Sequence, residues 1–368
     1  MRGDQEVRIG IIGAGGIAAA HVKHYKLMAG VKIVGVADVV AGRAAAFVSE
    51  QGLTGARAYD DHKELVTSDL DAVSVCTPNT AHYRATVDAL QAGRHVLVEK
   101  PLSVTMAEGV EMVAAARQAR RILSVGLQTR YAPDVTVAKR IIESGVLGKI
   151  YFAETGGGRR RGIPGGSFVS KDLAGGGAVL DIGCYSLDTV MYLLGHPRPL
   201  TVSAHTSNHI GTSPALAPRM SSGYRGAFNA ASFDVEDFGA AMIRLDGNIC
   251  LLFRIAWAMH LDSLGPTVLL GTTAGLKLAA GVCLYQDQEG IATETQLELG
   301  KGPDHGPFYR KLEDFVEAVR DGGPAPIPAD TFLHTQAILD GIYRSARARA
   351  EVEVDVPAGI QAACGRGD

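Results

Sequence analysis

The sequence predicts an α/β domain built on a doubly wound parallel sheet, followed by an α+β domain with a large, mainly antiparallel sheet. Three observations carry that prediction. Short β-rich runs alternate with helical runs through the first third of the chain, a glycine-rich turn follows the first run, and beyond Lys149 the β-rich runs lengthen and succeed one another across short turns. At 368 residues the chain exceeds the ~250 to 300 at which single cores stop growing. Two domains are therefore expected, over residues 1–127 and 128–368.

The runs VRIGII at 7–12 and VKIVGVA at 31–37 read as strands, and between them Ile17 to Met28 is helical and closed by Gly30. The alternation continues with AVSVC at 72–76, a helix from Thr80 to Ala92 closed by Gly93, HVLV at 95–98, a helix from Met106 to Ala119, and RILSVG at 121–126. Right-handed crossovers make such strands parallel, and parallel sheets bind ligands at the carboxyl ends of their strands. Gly175-Gly176-Gly177 opens a helix with the apolar stripe Leu180, Cys184, Leu187, Met191 and Leu194, ended by Gly195 and Pro197. Asp181, Tyr185 and Asp188, at i, i+4 and i+7, share one of its faces. The second domain's strand runs are IYFAETG, FGAAMIRL, NICLLFRIAW and TVLLGT, with Asp246-Gly247 as a turn and Trp257 as a sheet-packing residue. Residues 205–235 are polar and aperiodic, the character of a binding loop, a lid or a disordered segment. Two helices follow, Phe308 to Arg320 and Thr331 to Ala348.

Composition excludes several classes. Lys plus Arg number 36 against 39 Asp plus Glu, which gives no electrostatic reason for a nucleic-acid or membrane partner and points to a small ligand. No apolar run approaches the ~18 residues of a membrane span, and the charged start followed by a short apolar run does not read as a signal peptide. The five cysteines (Cys76, Cys184, Cys250, Cys283, Cys364) are odd in number and lack C-x-x-C spacing, against a disulfide framework or structural zinc and in keeping with the cytoplasm. His21, His24, His305 and His334 have no second ligand at metal-like spacing, so no metal is expected.

The turn Gly13-Ala14-Gly15-Gly16-Ile17-Ala18 matches G-x-G-x-x-A: Gly13 for the tight turn, Gly15 for backbone approach to a pyrophosphate, Ala18 for close helix packing. Asp38 ends the second strand, where a carboxylate accepts the ribose hydroxyls of a dinucleotide and repels a 2′-phosphate. Val39 and Val40 add no positive charge, so NAD is favoured over NADP, with Arg43 the one residue near enough to reach a phosphate. In HVLVEKP, Glu99-Lys100-Pro101 ends a buried strand where substrates meet nicotinamide, and the proline aims Lys100 as a group able to polarise a carbonyl or hydroxyl oxygen. The run Arg159-Arg160-Arg161 is either a solvated loop or, with Lys171, a source of one substrate-binding arginine.

The GAGGIA turn, CTPNTAHY at 76–83, EKP at 99–101 and GGGAVLDIGCYSLD at 175–188 together resemble the glucose-fructose oxidoreductase, inositol dehydrogenase and rhizopine catabolism (Gfo/Idh/MocA) family. The resemblance extends over essentially the whole chain. It implies Lys100 as catalytic lysine, and a cofactor contact set of Gly13, Gly15, Gly16, Ile17, Asp38, Val39, Thr77, Pro78, Asn79, His82, Glu99, Lys100 and Gln128. Lys100, Arg130, Asp181 and Tyr185 are the corresponding substrate candidates, with Tyr185 standing where many relatives carry histidine, and Arg161 is the candidate drawn from the arginine run. The resemblance also implies that the C-terminal helices return to the first domain. If the large sheet leaves one apolar face uncovered, assembly into a homodimer or homotetramer would cover it. The expected activity is NAD-dependent hydride transfer on a sugar, polyol or cyclitol hydroxyl, with Lys100, Asp181 and Tyr185 as catalytic groups and either Tyr185 or Lys100 taking the proton. Two other readings use the same residues in part: a glycosidase that oxidises transiently with NAD, and a nucleotide-binding regulator without chemistry.

Overall fold

β1 (Val7–Ile12) is buried almost throughout, as a strand covered on both faces must be, and this is why it reads as an unbroken apolar run rather than an alternation. In the computed structural model, which describes residues 6–224, 226 and 228–357, β1 lies inside a six-stranded sheet. Its neighbours are β2 (Val31–Ala37), β3 (Arg57–Tyr59), β4 (Ala72–Val75), β5 (His95–Glu99) and β6 (Leu123–Gly126), in the order β3-β2-β1-β4-β5-β6 and all parallel. The order reverses between β1 and β4, and the crevice at the carboxyl end of such a reversal is where open α/β sheets take their ligands.

Helices α1 (Gly16–Tyr25), α2 (Arg43–Glu50), α3 (His62–Thr67), α4 (His82–Gln91) and α5 (Met106–Ala119) make the crossovers. α5 starts where the sequence places it, fixed by a capping box in which Thr105 and Glu108 satisfy each other's backbone N–H groups. By contact, this first unit comprises the residues up to Gln128 together with Asp304–Phe332. The later segment enters as the helix Gly306–Asp321, whose Tyr309, Leu312, Phe315 and Val316 join Ile9, Ile11, Val22 and Leu97 in one apolar core.

The second unit comprises Thr129–Pro303 and the residues from Leu333 onward. Its nine strands are β7 (Ile150–Gly158), β8 (Pro199–Ser207), β9 (Phe238–Leu245), β10 (Ile249–Ala256), β11 (Thr267–Gly271), β12 (Ala274–Ala279), β13 (Gly281–Gln288), β14 (Ile291–Leu297) and β15 (Val352–Glu353). They are ordered β14-β13-β12-β11-β7-β10-β9-β8-β15, with β7 and β10 parallel and the other pairs antiparallel.

Residues 205–235 differ from the expectation of an irregular stretch. β8 runs to Ser207, a helical turn spans Ala217–Met220, and the Gly162 and Ile163 N–H groups bond to the Met220 carbonyl while that of Gly165 bonds to Tyr224. Residues 225 and 227 of that stretch, residues 1–5 and Cys364 lie outside the described residues. Cys76, Cys184, Cys250 and Cys283 are free thiols. Among the described residues no helix is long and apolar enough to cross a membrane, and no cluster of three His, Cys, Asp or Glu could hold a metal ion.

The glycines before the helix Cys184–Leu193 are explained by close approach. A Cβ on Gly177 would stand 1.9 Å from the carbonyl oxygen of Glu236, and the Gly177 N–H is itself bonded at 2.9 Å to the buried Glu236 carboxylate. Gly177→Ala should therefore cost about 2–4 kcal/mol in chemical denaturation, by overpacking a site whose neighbour is backbone. Gly300→Ala, where a Cβ meets nothing within 4 Å, should stay within about 0.5 kcal/mol. Equal stabilities for the two variants would show that the Glu236 contact does not constrain Gly177.

Candidate active site

In the first unit the glycine turn is shaped by what lies beneath it. Gly13 has φ +93, and a Cβ there would meet the Cys76 carbonyl at 2.7 Å and the Thr77 nitrogen at 2.9 Å. Only a residue without a side chain lets the end of β1 lie so closely on the end of β4. Gly15 is the N-cap of α1 with no side-chain cap, so the first N–H groups of the helix, through Gly16 and Ile17, face a position suited to an anion. Ala18 is fully buried under the helix.

Asp38 follows β2 and ties the turn down. Its Oδ2 accepts the Ala14 N–H and its Oδ1 the Val40 N–H, each at 2.9 Å. Each oxygen keeps a further acceptor lobe for a hydroxyl. Arg43 places Nη1 3.8 Å from Oδ1, paired with the carboxylate. Val39, 84% exposed, presents an apolar flank beside it.

Thr77, Pro78 and Asn79 form the loop after β4, and the Thr77 Oγ1 is buried without a hydrogen-bond partner. His82 is buried, with Nδ1 2.7 Å from the Pro101 carbonyl and Nε2 3.1 Å from that of Thr77. Burial depresses its basicity despite those two bonds. Its ring thus braces the loop after β4 against the loop after β5.

Glu99, last residue of β5, is 3% exposed. One oxygen, Oε1, meets His21 Nε2 of α1 at 2.9 Å and Lys311 Nζ of the helix Gly306–Asp321 at 2.5 Å. The other accepts the Lys100 N–H at 3.4 Å. Burial alone would push this carboxyl up, but the Lys311 charge and His21 hold it well below the usual carboxylate range. Lys100, half-buried, leaves the sheet from this anchored strand end. Lys311 also donates to the Gln128 Oε1 at 3.4 Å. The glycine cradle, the acceptor lobes of Asp38 and the orphaned Thr77 hydroxyl all lie at the carboxyl edge of one sheet and fit a dinucleotide.

In the second unit Val179–Gly183 is a π-helical turn leading into the helix Cys184–Leu193. Such turns widen the helix locally and are frequent at functional sites. Asp181 lies within it, and its Oδ2 accepts the indole N–H of Trp257 at 3.0 Å. Tyr185 follows in the first α-helical turn, half-buried like Asp181. Asp188 departs from the shared face expected of the three. It is fully buried and bonded through both oxygens to Arg130, at 2.9 Å to Nε and 2.7 Å to Nη2, and Tyr192 lies 5.0 Å from the Arg130 guanidinium. Arg130 is thus committed to Asp188. Arg159, Arg160, Arg161 and Lys171 are exposed, with Arg160 near Asp262 at 3.2 Å.

Sequence reasoning missed Lys311, Glu236 and the Trp257 bond to Asp181. The acidic run DVED at 234–237 was a signal for a buried carboxylate. Nothing local marks Lys311.

Comparison with known proteins agrees with this geometry. Residues 7–127 match the profile described as "Oxidoreductase family, NAD-binding Rossmann fold", and residues 135–277 match the GFO/IDH/MocA C-terminal domain. The chain is 33% identical to D-glucoside 3-dehydrogenase of Escherichia coli over 355 residues, 95% of this chain and 97% of that protein. It is 37% identical to inositol 2-dehydrogenase/D-chiro-inositol 3-dehydrogenase of Lactiplantibacillus plantarum over 145 residues, 39% of this chain and 41% of that one. Levoglucosan dehydrogenase in complex with NADH has the same fold, with a TM-score of 0.80 and 23% identity over 96% of this chain and 100% of that one.

Asp38→Asn keeps an acceptor for a backbone N–H but removes the charge that repels a 2′-phosphate and occupies Arg43. The ratio of NADP to NAD affinity, read by calorimetric titration, should rise at least about tenfold. An unchanged ratio would mean that Asp38 does not read the ribose.

Proposed function

The chain belongs to the Gfo/Idh/MocA family of NAD-binding oxidoreductases, and from this we propose that it transfers a hydride between nicotinamide and a secondary alcohol, or the matching ketone, of a sugar or cyclitol. The observation that carries the reading is the carboxyl edge of the first sheet, where Gly13, Asp38 and the anchored Lys100 lie together. A glycoside or free sugar is favoured over an inositol, because the glucoside dehydrogenase match runs the length of the chain and the inositol dehydrogenase match does not.

Bound nicotinamide supplies the hydride acceptor in the oxidising direction. The protein's part is then proton transfer and orientation. Tyr185 exchanges the substrate's hydroxyl proton through its phenol, and the role of Lys100 is to polarise a substrate oxygen with its ammonium. Asp181 orients the substrate, its own carboxylate held by the Trp257 indole N–H on Oδ2.

Reduced-nicotinamide absorbance, followed with NAD and separately NADP against glucosides, aldoses, inositols and aminocyclitols, tests the reading. Reduced cofactor should accumulate with NAD and one substrate class, and Lys100→Ala should abolish turnover while leaving NAD affinity nearly unchanged. If NAD binds but no substrate class reduces it, the dehydrogenase reading fails in favour of transient oxidation or a regulator.

Trp257→Phe, at a site 1% exposed, keeps the buried ring and deletes one N–H. It should lower kcat/KM roughly tenfold, the loss of one hydrogen bond to a charged group, without changing NAD affinity. Unchanged kcat/KM would remove Trp257 from the account of Asp181.

A further inference from the structure

Two stretches of the second unit that read as loops, residues 156–170 and 205–235, are joined into one surface. Ile163 forms a β-bridge with Ser221, the Ser222 N–H bonds to the Ile163 carbonyl at 2.9 Å, and the Gly165 N–H bonds to the Tyr224 carbonyl at 2.8 Å. Further along, the Asp234 carboxylate accepts the Lys171 N–H at 2.6 Å. The paired segment also has a fixed seat. A Cβ on Gly162 would stand 2.4 Å from the Trp257 carbonyl oxygen, so the first stretch lies directly on Trp257, whose indole holds the π-helical turn through Asp181. Gly165 is three residues onward, a reach of at most about 11 Å.

The joined stretches carry a pair of aromatic rings. Phe168, in the turn Gly166–Val169, has its ring 6.0 Å from that of Tyr224 and inclined to it by 55°. Tyr224 is 54% exposed and Phe168 is half-buried. A single exposed apolar residue is ordinary. Two rings brought together from distant stretches, on backbone pinned by the bonds between them, are a built surface. It is far too small for a protein partner, which needs about 800 Å² a side. Its size suits one ring of a small molecule. Aromatic faces take the C–H face of a pyranose or the face of an arene, and the tyrosine hydroxyl keeps the rim polar.

We propose that Phe168 and Tyr224 form a stacking platform for the aglycone of a glycoside substrate, taking a second pyranose or an aromatic ring by its face. The platform deepens the proposed function and rests on it for a glycoside as substrate. Because the aglycone is remote from the carbon that loses hydride, the contact is made equally in the bound substrate and in the transition state. It therefore acts on KM and not on kcat. Free sugars and methyl glycosides offer no such ring and gain nothing from it.

The test follows NAD reduction, and calorimetric binding in parallel, with methyl glucoside, phenyl glucoside and a glucosyl-glucose disaccharide, each as α and β anomers. The wild type should show a lower KM for a ring-bearing glycoside than for methyl glucoside. Tyr224→Ala, at an exposed position outside the core, should raise that KM roughly tenfold, the scale of one aromatic contact, and leave kcat and the methyl glucoside parameters unchanged. Tyr224→Phe keeps the ring and should keep the wild-type KM. A loss confined to phenyl glucoside assigns an aromatic aglycone, and one confined to the disaccharide a second sugar. Equal KM values for methyl and ring-bearing glycosides in the wild type, a Tyr224→Ala loss shared by methyl glucoside, or Tyr224→Phe as impaired as Tyr224→Ala would each overturn the platform. Ring-selective binding without NAD reduction would keep the platform and overturn the proposed function, whereas turnover of free sugars or inositols alone would do the reverse.

Discussion

Burying the Glu99 carboxylate at the end of β5 is the constraint on which the carboxyl edge of the first sheet depends. A carboxylate with 3% exposure cannot stay ionised unless charge and hydrogen bonds replace its water. Its partners come from α1, from the residue after it and from the helix Gly306–Asp321. Removing one member of such a pair typically costs about 3–5 kcal/mol, because the other charge is left buried alone. Since the carboxyl is depressed from 4.5, its contribution to stability is complete above that pH and is lost as pH falls below it. Lys100 inherits its place from this arrangement, as does the packing of the later helix onto a sheet formed mostly by the first third of the chain.

Glu236 in the second unit shows what the cation changes. It is equally enclosed, and accepts the Gly177 and Val179 N–H groups at 2.9 Å and the Tyr343 hydroxyl at 2.8 Å. These are neutral donors. Burial therefore prevails and raises its carboxyl above the ordinary value, whereas at Glu99 the Lys311 ammonium reverses the direction. Glu236 can serve as a hydrogen-bonded anchor for the turn that carries Asp181. Glu99 requires a counter-charge, and that requirement brings Lys311 to the cofactor edge.

The parts of the fold legible in the sequence were those whose cause is local. The doubly wound sheet follows from punctuation by Gly13, Gly30 and Gly93 and from strands buried on both faces, and α5 from its cap. β3, with three residues and an exposed Arg57, and α3, less than two turns long, carry too little periodicity to be seen. β8 ends in Ala204-His205-Thr206-Ser207, polar enough to read as loop, and this end is strand because β9 pairs with it residue by residue. Within the candidate site, Gly13, Asp38 and Lys100 were legible because strand-end position defines their chemistry. Arg130 and Asp188 were read separately, as a substrate arginine and a helix-face carboxylate, because their mutual bond joins residues 58 positions apart. The π-helical turn at Val179–Gly183 likewise changes the spacing on which the expected Asp181, Tyr185 and Asp188 face was based.

The partners that escaped the sequence have a chemical property in common. The Trp257 indole and the Lys311 ammonium can donate and cannot accept. Each contacts an oxygen of a candidate site residue, Asp181 Oδ2 in one unit and Gln128 Oε1 in the other. A hydroxyl beside Gln128 could reverse its role and let the amide turn with it. A donor-only group cannot, so the Gln128 oxygen stays turned toward Lys311. Both donors are almost wholly buried, which removes water as a competing partner. The orientation of both side chains is thereby set by the fold, and breaking either bond would leave a buried donor unpaired, the costly half of hydrogen-bond energetics.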